Sequence, residues 1–186
     1  MLYARSRAMP ASFAGLVVSM ALIWFLARDH WSEIPVSLAL LVAIAVTAIG
    51  LSGQDTDLDR TAAIRWAPRR VVHLLLIGGL AVGAALLPRL WEVDRVPVEI
   101  VVRNAGGLLG LAGISAVLFG GAFGWALPLL GFAVAVTVAV TTSGSESSHR
   151  VITWLFQPTG VAEGTWTAVV LTVAGLGIYA VFGNRR

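Results

Sequence analysis

Six apolar runs, each about 16–20 residues long and uncharged through its middle, set what this chain can fold into: residues 11–27, 34–51, 71–87, 104–123, 125–140 and 165–182. At about 1.5 Å of rise per residue, a helix of that length just crosses a hydrocarbon core about 30 Å thick. Inside lipid no water meets the backbone, so each spanning segment must satisfy its own amides and carbonyls, as a helix does. The expected fold is all-α. It is a polytopic integral membrane protein of six transmembrane helices, forming one domain over residues 1–186, with short amphipathic helices at the interface. Composition agrees: 58% of the residues are hydrophobic and 12% charged, where a soluble domain carries about a quarter charged.

The first run follows Arg5 and Arg7 and has the outline of a signal peptide. Trp24, Phe25 and Leu26 stand where small cleavage-site residues belong, so the expectation is a first span. Every basic residue is Arg and there is no Cys, which excludes disulfides and thiolate metal sites. The net charge of +3 suits arginines beside lipid headgroups and not a nucleic-acid surface. With six spans, both termini share a side. That side collects Arg5, Arg7, Arg60, Arg65, Arg69, Arg70, Arg185 and Arg186, against Arg28, Arg89, Arg95, Arg103 and Arg150 on the other. The bias predicts cytoplasmic termini. The heavy use of Ala, Val, Leu, Gly and Arg fits a high-GC bacterium, hence a bacterial inner membrane.

Between the second and third runs lies the most charged stretch, Ser52 to Arg70. Thr56 and Asp59 make a capping-box-like start. Leu58, Ala62 and Trp66 are four apart and share a helix face, with Arg60 and Arg65 off it. Pro68 disfavours helical geometry at Ala67, which predicts a helix that stops there. The result is an amphipathic interfacial helix, or a solvated loop containing one helical turn. In the functional reading Asp59, Arg60, Arg65, Trp66, Arg69 and Arg70 dock a cytoplasmic partner, or the stretch sets the angle of the next span.

Glycine marks where helices approach one another. Gly79 and Gly83 in the third run, and Gly106 and Gly110 in the fourth, are small-xxx-small pairs, so both faces are expected to pack against helices. Replacing Gly79 or Gly110 by Leu should impair assembly. Arg103 and Asn104 stand at the entry to the fourth run. They are read either as a snorkelling arginine with a helix N-cap, or as a polar contact to another subunit or a substrate headgroup. His149 to Phe156 is short, amphipathic and aromatic, and is expected to rest at the interface.

No acidic or basic residue falls mid-span, which argues against an ion-coupled carrier acting alone and against intramembrane catalysis. His30, His73 and His149 fall in different connectors, with His73 opposite the other two, so no metal site is expected. Ser145, Ser147 and His149 lack a group to orient a base. No Gly-Lys phosphate cradle occurs. The expectation is a non-enzyme without cofactor.

Arg103-Asn104 with Gly106-Gly107 and Gly110, Trp125 three before Pro128, Trp154, and Arg69-Arg70 three before His73 together resemble small six-span proteins of high-GC bacteria. Those are encoded beside ABC transporter ATPases, as ABC-2-type permease-like subunits. The resemblance implies a membrane subunit of a multi-component transporter, driven by a separate cytoplasmic ATPase. It would pair with a second membrane subunit or with its own copy. The alternative is a non-transporting membrane protein acting in assembly, immunity or signalling.

Overall fold

A computed structural model describes residues 9–27, 32–48, 66–90 and 96–183; the side chains of residues 9–16, 66, 67, 69, 70 and 73 lie outside that description. Among the described residues every regular element is a helix. The helices are α1 (Met9–Ala27), α2 (Glu33–Ala48), α3 (Trp66–Leu86), α4 (Val98–Phe119), α5 (Ala126–Thr141), α6 (Ser147–Ile152) and α7 (Ala162–Phe182). Tight 3₁₀ turns follow α3 at Leu87–Leu90, lead into α5 at Gly121–Phe123, and follow α6 at Trp154–Phe156. Three helical segments are long and apolar enough to cross a membrane: Val98–Phe119, Gly121–Thr141 and Ala162–Phe182.

The bundle is built around α4, which packs on α2, α3, α5 and α7. Within its most apolar window 67% is buried, against 17% for the α5 and α7 segments. The reason is its glycines. An added Cβ at Gly110 would run into the backbone of Leu171 on α7, and one at Gly175 into the backbone of Gly110. A Cβ at Gly113 would stand 2.9 Å from the Gly175 carbonyl oxygen, and one at Gly106 2.9 Å from Thr172 Oγ1. The matched positions rise together along both helices, so α4 and α7 run parallel, backbone against backbone. Small residues permit that approach, and close van der Waals packing is what holds helices together in lipid.

Helix α3 reaches α4 differently. Its inner face is Leu74, Ile77, Gly78, Ala81 and Ala85, all buried. Gly78 is the glycine at the contact, where a Cβ would sit 2.9 Å from Leu109 Cδ2. Gly79 and Gly83 face outward, with nothing within 4 Å of an added Cβ.

Three local expectations change. Helix α3 begins at Trp66 and passes through Ala67 and Pro68. Proline in a first turn removes an amide that has no intrahelical partner there, so it starts this helix and does not stop one before it. Trp66, Arg69 and Arg70 therefore belong to α3. Asp59, Arg60 and Arg65, with the proposed interfacial helix, lie outside the described residues. Second, α4 begins at Val98 after Pro97, so Asn104 stands more than a turn inside the helix and caps nothing. Third, residues 149–156 do not lie wholly on the outside of the bundle. Trp154 and Leu155 are buried, at 4% and 0% exposure, while Val151 and Ile152 stay outside. A short helix and a 3₁₀ turn fold Trp154 inward.

Candidate functional site

Three of the four buried polar residues among those described, Ser37, Asn104 and Thr153, gather at the end of the bundle where α2, α4 and α7 begin. Asn104 is fully buried. Its Nδ2 donates to Ser37 Oγ at 2.9 Å and to the Leu155 carbonyl at 2.7 Å. Its Oδ1 accepts from Arg103 Nε at 3.1 Å. Both amide hydrogens and one oxygen lone pair are thus engaged, which is what a buried amide requires. One side chain ties together α2, α4 and the segment joining α5 to α7.

Arg103 extends the joint outward. Its Nη2 donates to the Gln157 carbonyl at 2.7 Å. Gly164 on α7 leaves room for the strap beside it: a Cβ there would lie 3.0 Å from Gln157 Cβ. Glu33, one turn before Ser37 on α2, adds its negative field to Arg103. Gln157 turns back and donates from Nε2 to Thr153 Oγ1 at 2.7 Å, and Thr153 donates to the His149 carbonyl, also at 2.7 Å.

Residues 142–161 form a strap over this end. Trp154 drives it home. A Cβ on Gly107 would collide with the indole ring, so the missing side chain on α4 is the slot the tryptophan fills. Phe156 meets Phe132 of α5 edge-on, with ring centroids 6.0 Å apart, a favoured aromatic arrangement. At the rim Arg150 Nη1 pairs with Glu163 Oε1 at 3.2 Å, and Ser147 Oγ donates to the same oxygen at 3.3 Å. Water screens such a half-exposed pair, and the buried Trp154 and Asn104 are the inner anchors of the strap.

Those of the singled-out residues that lie among the described ones are not brought to one place. Arg103 and Asn104 are at the joint, engaged by partners within the chain. Gly106 and Gly110 lie on the α7 seam, beneath the joint. Gly79 and Gly83 are on the outer face of α3. His149 does not meet the serines beside it; its Nε2 lies 3.2 Å from the Thr142 carbonyl. The sequence reading missed Ser37, Gln157, Gly107 as a slot and Gly164. Ser37 and Ser115 carried a usable signal, Ser115 as the lone hydroxyl of its apolar run and Ser37 as one of two, with Thr47.

The arrangement is a structural lock with one charged, half-buried guanidinium at its edge. It offers hydrogen-bond donors and a positive charge to a neighbour. It sets no nucleophile against a base. Comparison with protein-family models, curated proteins and solved structures finds no match.

Proposed function

We propose that the chain is a six-span protein of the bacterial inner membrane with cytoplasmic termini. In this reading it is the membrane-embedded, non-enzymatic subunit of a multi-component, ABC-type transporter whose ATPase is a separate chain. The observation that carries the reading is the filled interior around α4. Gly106, Gly110 and Gly113 are used up by α7, and Gly107 by Trp154. A substrate route would then run between this chain and a second membrane subunit or another copy. The outward face of α3, with Gly79 and Gly83 open, suits that contact.

Six spans are supported by the alternation of the chain. The ends of α1, α3 and α5 alternate with the starts of α2, α4 and α7, and the Asn104 joint gathers the last three at one end. Helix α2 has 16 residues, about 24 Å of rise, short of a core about 30 Å thick. It is largely buried against other helices, so little of its length has to match lipid.

The same filled interior favours a second reading, a membrane protein in assembly, immunity or signalling, which needs no route. Co-purification from native membranes in mild detergent separates them. The transport reading expects a stoichiometric ATPase, lost when Arg60, Arg65 and Trp66 become Ala. A chain recovered alone, or only with itself, overturns it.

A further inference from the structure

The turn joining α4 to α5 lies at the end of the bundle opposite the Asn104 joint. No charged residue occurs between Arg103 and Glu146, so the hairpin from Asn104 through Thr141, tip included, is neutral. Arg69 and Arg70, in the first turns of α3, stand at that same end. The tip carries instead Leu118, Phe119 and Phe123, each about half exposed at 52%, 53% and 52%, and the half-buried Trp125, 6.3 Å from the Phe123 ring. A turn that projects into water ordinarily carries polar groups to solvate its backbone.

Here much of the backbone is answered from inside. Ser115, buried one turn before the end of α4, donates to the Phe123 carbonyl at 2.6 Å and accepts from the Leu127 amide at 3.3 Å. Gly120, at φ 95°, turns the chain and donates its amide to the Ala116 carbonyl. Phe123 and Gly124 amides bond Gly120 and Gly121 carbonyls. Internal satisfaction of the backbone is the condition for a non-helical segment to sit away from water.

From these observations we infer that the α4–α5 tip, residues 118–125, is inserted in the bilayer. It rests at the boundary between headgroups and acyl chains and does not project into the aqueous phase. The inference rests on the membrane-spanning reading of α4 and α5. Its occupant is lipid: the tip is continuous with the exposed apolar faces of both helices, including Leu130 and Val134, and aromatic rings are the side chains that favour that depth.

The chain has no cysteine, so single introduced thiols report cleanly. Nitroxides would be placed at Ala122→Cys and, separately, Phe123→Cys. Val134→Cys on the α5 face and Ser145→Cys on the strap serve as references. The full chain would be reconstituted in vesicles of phosphatidylethanolamine with a minority of phosphatidylglycerol. Collisions with oxygen, which partitions into lipid, would be compared with those of a water-soluble nickel chelate. The expected result is an oxygen-to-nickel ratio several-fold higher at 122 and 123 than at 145, approaching that at 134. A ratio at both tip sites equal to that at 145 places the tip in water and overturns the inference. Labels immobile and shielded from both agents place it against a second copy and overturn it equally. A nickel-accessible label at 134 overturns instead the spanning reading of α5 on which the inference stands.

Discussion

The glycines of α4 and those on the outer face of α3 are written alike and end up in opposite places. Gly106 with Gly110, and Gly79 with Gly83, are each glycine pairs four residues apart in an apolar run. On α4 the missing side chains are filled by α7. On α3 the pair looks outward into open space, and the neighbouring Gly78 meets Leu109 instead. A shift of one residue turns a helix by about 100°, enough to exchange an inner face for an outer one. A small-xxx-small pair therefore shows that close approach is possible and leaves open what approaches.

The strongest way to break this contrast is Gly110→Leu. The added side chain would occupy backbone volume of α7, which cannot move aside as a flexible side chain can. The expected cost is about 3 kcal/mol or more, seen as loss of the folded monomer in mild-detergent melting; a variant that melts with the parent would mean α4 and α7 are not in backbone contact. Trp154→Ala tests the slot at Gly107. Emptying a buried indole site costs about 3 kcal/mol, and the strap should become susceptible to proteolysis between residues 142 and 161. If the strap stays resistant, Trp154 is not what seats it.

Asn104→Ala comes next, at about 2 kcal/mol, because Ser37 Oγ, the Leu155 carbonyl and Arg103 Nε each lose a partner. Ser37→Ala sharpens it at about 1 kcal/mol, since Asn104 keeps its bond to Leu155. Equal losses from the two variants would contradict the three-way role of the amide. Gly79→Leu is the smallest effect on the chain alone, within about 0.5 kcal/mol of the parent. Its expected effect is on association: a smaller particle on a detergent sizing column than the parent gives. An unchanged particle size would leave the outer α3 face to lipid.

Much of the fold was legible because the constraint that sets it is local. A run without charge and long enough to cross lipid has to be a helix, whatever it packs against. Pro68 shows the edge of such reasoning. A proline ends one helix or begins the next, and only the position of the neighbouring turn decides. Trp154 shows another. Aromatic residues in a connector suit an interface, and equally suit a slot; the slot at Gly107 lies 47 positions away, as the two numbers show, and no local pattern links them. Arg103 and Asn104 were visible as polar residues at the entry to an apolar helix. Their partners, a serine on α2 and two backbone carbonyls on the strap, were not, because carbonyls carry no sequence signature.

The sequence by itself determined the class of solvent, the helical backbone and the places where helices could come close. Those follow from hydrophobicity, length and residue size, which each stretch of chain carries alone. The tertiary structure decided which faces turn inward. Lipid is as apolar as the bundle interior, so hydrophobicity does not distinguish a core face from a lipid face. Apart from Glu163 at the start of α7, neither α5 nor α7 carries a charged residue. What chose their orientation was shape and hydrogen bonding: the groove of Gly106, Gly110 and Gly113 for α7, the slot at Gly107 for Trp154, and the one buried amide that holds three segments at a single point.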